Sequence, residues 1–272
     1  MVELFEQNIR TNDRQSSKGN QLKWENCGIW YKADYTGYEG LSEYVISHLL
    51  MKSNIGEEYV LYDLENIKYN AVQYNGVRSE SFLTGDWQII TLERLYKQMF
   101  GVSLYKTIYS IEDVRERLIF LVNQVELITG LKGFGKYINK LFTIDAFFLN
   151  EDRHTHNIAV LMNREGEFAF CPIFDNGAGL LSDIKMDYPL EEDVYSLIKN
   201  VKSKTISDDF DEQLDVSEIL YGHNLLFSFS KKDVHEIVNS ATIYSETERV
   251  RVEDILYFQM QKYQYLFAYS VE

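Results

Sequence analysis

The chain has 272 residues, 45% hydrophobic and 14% aromatic, which is enough for one large domain or two lobes around a shared cleft and unlike a disordered tail. Lys plus Arg number 27 against 42 Asp plus Glu, a net charge of −15, and no Lys/Arg cluster forms the basic face that nucleic-acid binding needs. The N-terminal residues lack the apolar core of a signal peptide, and no apolar run reaches the roughly 18 residues of a membrane span. The expectation is therefore a cytoplasmic protein, with any export as an effector taking a route without a signal peptide.

Residues 8–20 are polar and loop-like. QLKW and IWYKAD flank a turn signal at Asn26–Gly28 and predict a hairpin. GYEGLSEYVISHLLMKSNIG follows, with Leu41, Tyr44, Val45, His48 and Leu49 at the spacing of an amphipathic helix that Gly56 ends. EYVLYDLENI and YNAVQY predict further strands, with Asn75–Gly76 as a turn. Near residue 85 the pattern becomes helical, from ITLERLYKQMF onward. Ile111, Val114, Leu118, Leu121, Val122, Val125 and Ile128 make one apolar stripe. Residues 137–149 (YINKLFTIDAFFL) are apolar nearly all round and predict a buried helix. LEEDVYSLIKNV, SKKDVHEIVNSA and RVRVEDILYFQMQKYQYLF add helices, with Tyr257, Tyr263 and Tyr265 expected in the core. The acidic stretch 200–216 reads as a loop. Cys27 and Cys171 show no CxxC spacing and are expected to be reduced, buried thiols. The fold class expected is α+β, a small β-rich lobe over residues 1–85 and a larger helical lobe over 86–272.

NEDRHTHN (150–157) lies between the buried helix and the apolar IAVLM. NREGE turns the chain at Gly166, FAFCPIF returns, and Asp175–Asn176–Gly177 follows directly. A hairpin brings its two ends together, so Asp152 and Asn157 are expected close to Asp175. Three oxygen-bearing side chains at one point suit magnesium, which takes few protein oxygens and keeps waters and substrate phosphates. Phosphoryl transfer needs that metal on the phosphates and a carboxylate that orients or deprotonates the attacking hydroxyl. Asp152 fits the base, and Asn157 and Asp175 fit the metal. Singly, an Asp-x-Gly is usually a turn and a DxxxxN arises often by chance; the order of the pieces along the chain carries the reading.

DRHTHN followed by FDNG resembles the catalytic segment of HipA-like serine/threonine kinases, related in pattern to the phosphoinositide-3/4-kinase superfamily. The resemblance is to the stand-alone HipA C-terminal-type kinase domain. It runs unbroken over LFTIDAFFLNEDRHTHNIAVLMNREGEFAFCPIFDNGAGLLSD. It implies a two-lobed, protein-kinase-like fold, ATP and Mg2+ as cofactors, and an enzyme that phosphorylates Ser/Thr of a protein substrate and also itself. It further implies a strand lysine for the α/β-phosphates paired with a helix glutamate. Lys32 in IWYKAD and Glu43 in SEYVISHLL match, with Glu39 as the competitor. SSKGN takes the place of a phosphate-cradling loop, with Ser16, Ser17, Lys18 and Gly19 as nucleotide contacts and the two serines as autophosphorylation candidates by position. His154 is expected to pack and hydrogen-bond locally beside Asp152. Arg153 reads either as a surface residue or as a phosphate partner.

The sequence departs from that pattern in three places. His156 stands where many such kinases carry a lysine that reaches the γ-phosphate, and histidine is shorter and largely neutral at pH 7. Asn176 replaces the phenylalanine of the DFG in ordinary protein kinases, so the hydrophobic switch made by that ring is expected to be absent. Lys32 lies too near the start for the extra N-terminal subdomain of the main HipA architecture, so a separate antitoxin or subdomain chain is a partner that no residue here supports. Three rival readings stand beside the kinase. A metallohydrolase would use His154 and His156, for which His48, His223 and His235 supply no partner at ligand spacing. A nucleotide-binding module without catalysis sits badly with the intact Lys32, Asp152, Asn157 and Asp175. A lipid kinase sits badly with an acidic chain that anionic lipid would repel.

Overall fold

The computed structural model describes residues 1–9, 21–56 and 58–267. The loop Ser16–Gly19 lies outside them. Strands β1 (Val2–Glu3), β2 (Lys23–Asn26), β3 (Ile29–Ala33), β4 (Asp63–Tyr69) and β5 (Val72–Glu80) form one sheet among the described residues, in the order β1-β4-β5-β3-β2. Side chains alternate across a strand. Trp24, Tyr31, Ala33 and Ile67 therefore share one face, where they close a small core with Leu4. Lys23 lies opposite Lys32 and Lys32 opposite Val77, so these three share the other face.

The β4–β5 turn falls at Asn70–Ala71, not at Asn75–Gly76. Both turn residues take positive φ, 48° and 63°, as a tight hairpin turn of the primed type demands. Gly76 sits inside β5 for a different reason. A Cβ there would lie 2.1 Å from the carbonyl oxygen of Lys32, so glycine is what lets β5 close on β3.

Helix α1 (Glu39–Leu50) joins the sheet to the helical part and stops well before Gly56. It is buried on most sides rather than amphipathic. Leu41, Val45, Ile46, Leu49 and Leu50 enter the large helical core, while Tyr44 and His48 are half-buried and meet at a tilt of 42°, ring centroids 4.0 Å apart. The position of Glu43 is thereby set by packing, not by a surface helix.

Strand β6 (Gln88–Thr91) precedes α2 (Leu92–Phe100), so the segment read as helical from Ile90 begins extended. Thr91 ends the strand and caps the helix, its hydroxyl accepting from the Arg94 N–H. Helices α3 (Leu104–Tyr109), α4 (Val114–Thr129) and α5 (Phe134–Phe148) follow, and α5 is buried nearly all round as expected. Strands β7 (Ala159–Met162) and β8 (Phe168–Phe170) form the hairpin after the segment NEDRHTHN, and β6 adds to its edge. After α6 (Val194–Ile198), helix α7 (Phe210–Tyr221) occupies much of the stretch read as a loop and packs on α5. Asp209 caps it by accepting from the N–H groups of Asp211 and Glu212. Helices α8 (Lys231–Ser240) and α9 (Glu246–Lys262) complete an α+β fold with a small sheet lobe and a larger helical lobe.

Cys171 is buried, but Cys27 is exposed in the β2–β3 turn, and both thiols are free. Tyr263 lies in the core, Tyr257 at its margin, and Tyr265 is exposed. No helix among the described residues is long and apolar enough to cross a membrane.

Candidate active site

Strand β3 and helix α1 bring Lys32 and Glu43 into direct contact. The Lys32 ammonium donates to Glu43 Oε1, to Asp175 Oδ1 at 2.7 Å and to the Tyr62 hydroxyl at 3.2 Å. Glu43, 1% exposed, uses its other oxygen to accept from the Asn176 N–H at 2.9 Å. Glu39, the competitor, does something else: its carboxylate accepts from the N–H groups of Tyr35, Thr36 and Gly37 and from the Thr36 hydroxyl, fixing the turn that starts α1. Lys23, which sequence reasoning passed over, reaches the same Asp175 oxygen at 3.4 Å. Its signal was the hairpin register, which puts it on the same face as Lys32.

These groups set one another's charge. Burial alone would raise the Asp175 carboxyl, but the ammonium groups of Lys23 and Lys32, with Arg153, outweigh it and hold Asp175 well below the usual carboxylate range. Burial lowers Lys32, yet Asp175 and Glu43 outweigh that and keep it well above its usual value. Lys23 goes the other way, because burial prevails over its attraction to Asp175.

Asp152 lies across the cleft, buried, and Asn157 is folded onto it. The Asn157 amide donates to the Asp152 carbonyl at 2.8 Å and to Asp152 Oδ2 at 3.0 Å. On the Oδ1 side stand His154 Nε2 at 3.8 Å and Lys204 Nζ at 3.9 Å. The His154 Nδ1 is buried with no hydrogen-bond partner among the described residues. Burial, then the neighbouring His156, pushes its imidazole down to about 4. His156 meets His154 edge-on, ring centroids 5.5 Å apart, and lines the cleft beside Asn157 and Asp175. No cluster of three or more His, Cys, Asp or Glu side chains among the described residues is arranged to hold a metal, so the two histidines lack a zinc cage.

Behind both groups runs a buried polar frame that sequence reasoning left open. Leu149 takes φ 57° and turns the chain out of α5. Arg153 is neither on the surface nor aimed at the cleft. Its Nε donates to both oxygens of Asp145 at 3.2 Å, and its terminal nitrogens donate to the Phe174 carbonyl at 2.9 Å and to Asn176 Oδ1 at 2.6 Å. Asn176, 2% exposed, thus ties Asp175 to α1 through its N–H and to the Arg153 loop through its side chain.

A hollow of about 60 Å³ between these groups is lined by Lys23, Thr36, Glu39, Asp152, Asn157 and Asp175, and a smaller one beside it by His156, Asn157 and Asp175. A larger hollow of about 550 Å³ lies elsewhere, where β4 and β5 part beside Tyr59 and Phe82, and none of the expected site residues reaches it. The donor set fits magnesium. Asp175 is held ionised, and with its amide nitrogen committed to Asp152, Asn157 has its carbonyl Oδ1 to offer.

Fold and site together define a two-lobed, kinase-like α+β protein. No family model and no curated protein matches the chain. Among solved structures, the Helicobacter pylori proinflammatory kinase CtkA is similar over 96% of this chain and 94% of its own, with 16% identity and a TM-score of 0.61. HipA of Shewanella oneidensis MR-1, solved with HipB and its operator DNA, is similar over 93% of this chain and 66% of its own, with 14% identity and a TM-score of 0.51. The fold is that of the HipA-like kinases.

Proposed function

We propose that the chain is an ATP-dependent protein kinase that phosphorylates serine or threonine of a protein substrate, itself included. The observation that carries this is the convergence of Lys32, Glu43 and Asp175 opposite the Asp152–Asn157 pair in one cleft. Residues 1–85 serve as the lobe over ATP, and 86–272 carry the catalytic loop. Lys32, held as a cation and aimed by Glu43, takes the α/β-phosphates, with Lys23 beside it. Asp175 and Asn157 would hold magnesium, which would supply positive charge to offset that of the phosphates. Asp152 orients the acceptor hydroxyl. The acceptor oxygen forms the new bond to phosphorus, the bond to ADP breaks with its electron pair left on ADP, and the acceptor proton passes to Asp152.

Lys23 and Lys32 both face the Asp175 carboxylate. Nucleotide binding draws ammonium groups from Asp175 toward phosphate. The acidic charge favours a protein acceptor over an anionic lipid. The HipB and operator DNA bound to the similar HipA support a separate antitoxin-like partner, while the charge of −15 disfavours direct contact with DNA.

Incubation with γ-labelled ATP and magnesium is expected to label the protein or a generic basic protein. Asp152→Asn and Asp175→Ala should each cut labelling by roughly 100-fold or more. Labelling of both variants at the parent's rate overturns the reading.

A further inference from the structure

The connection from α6 to α7 contains Lys202, Ser203, Lys204 and Thr205 in a strongly acidic chain. Lys202 and Lys204 go separate ways. Lys202 closes a surface ion pair with Asp208 at 2.7 Å. Lys204 turns inward because its neighbours are tied down. The Ser203 hydroxyl and the Ile206 N–H both donate to Gln213 Oε1 of α7, at 3.0 and 3.1 Å. Arg117 of α4 donates to the Ile206 carbonyl at 2.8 Å. Thr205, fully buried, donates its hydroxyl to the carbonyl of Arg153, inside the catalytic loop itself. With both flanks fixed, the Lys204 ammonium ends 3.9 Å from Asp152 Oδ1. That is the outer limit of an ion pair, and the side chain stays 37% exposed. The cation is delivered to Asp152 without being locked to it.

Phosphoryl transfer spreads negative charge over the oxygens of the moving group, and a cation on the acceptor side stabilises it. Other groups near Asp152 are poorly suited. Arg153 is committed to Asp145, Phe174 and Asn176. His154 is held neutral by burial. His156 stands where the resemblance implies a lysine. We propose that Lys204 is a catalytic residue that contacts the γ-phosphoryl group of ATP beside Asp152, supplied from a distant loop instead of from the position before Asn157. This rests on the kinase reading above.

Calorimetric titration of the full chain with ADP and with a non-hydrolysable ATP analogue, both with magnesium, isolates the contribution of the γ-phosphate. Lys204→Ala is expected to leave ADP affinity unchanged and to cut the preference for the analogue about tenfold, the share of one charge-assisted hydrogen bond. Turnover should fall about 100-fold. Lys204→Arg should keep the preference, and adding His156→Lys to Lys204→Ala should restore part of it. An unchanged preference in Lys204→Ala overturns the role and leaves the kinase reading standing. Equal weakening of both nucleotides marks a structural lysine and also overturns it. A parent chain that binds neither nucleotide overturns the kinase reading, and this one with it.

Discussion

Around Asp175 opposite charges meet at hydrogen-bonding distance, with Lys32 at 2.7 Å and Lys23 at 3.4 Å on one oxygen. Around Asp152 the ammonium of Lys204 and the imidazole of His154 stand back at 3.9 and 3.8 Å. The first group is tied through Glu43 to α1, whose apolar residues are part of the main core, so much of its geometry is inherited from packing. The second hangs on a loop and on a connection between helices. On the proposed kinase reading, the side that would hold nucleotide gains from rigidity, whereas the side that would admit a protein hydroxyl needs charges able to change partners.

Substitutions on the two sides should test this contrast. The largest effect is expected for Lys32→Ala, which leaves Glu43 and Asp175 buried without their shared cation and should lower unfolding free energy by about 3–5 kcal/mol in urea titrations. A loss near zero would mean that the cluster is not rigidly paired. Next comes the pH response of the Asp152 side. The folded chain keeps His154 neutral to about pH 4, whereas the unfolded chain takes a proton below about 6.5. Unfolding therefore binds a proton in that window, and stability falls as pH drops through it, by roughly 3 kcal/mol at its lower end. His154→Phe should flatten that part of the profile, and an unchanged slope would show that other groups cause it. The smallest effect is expected for Lys23→Ala, whose partly exposed side chain makes the longer contact and should contribute less than about 1 kcal/mol. A cost equal to that of Lys32→Ala would erase the distinction between the two lysines.

Much of this arrangement was legible in the chain. The buried helix, the polar DRHTHN, the hairpin and the returning Asp175 follow one another locally, and short-range order is what periodicity and turn chemistry report. Lys32 and Glu43 stood out because the resemblance implies a strand lysine and a helix glutamate, and a strand and a helix carry them in that order. The errors have physical causes. The turn at Asn70–Ala71 has no glycine, while Asn75–Gly76 looks like a turn but serves close strand approach. Helix α7 hid behind acidic composition, although an Asp cap and acidic residues in the first turn are favourable helix-start chemistry. Arg153 was ambiguous because its partners Asp145 and Asn176 come from separate segments. Lys204 lay beyond reach, since only tertiary anchoring through Arg117, Gln213 and Arg153 turns it inward.

Asn176 has a consequence for inhibition. In kinases with an aromatic ring at this place, the metal-binding segment can evert by trading one greasy niche for another. Here the same movement would strip a buried guanidinium of one acceptor and a buried glutamate of its amide donor. Compounds that act by trapping an everted segment select a conformer that must already exist at low population. This chain penalises that conformer at two buried contacts, so ligands for the proposed nucleotide site are better sought among molecules that fit the segment as it stands.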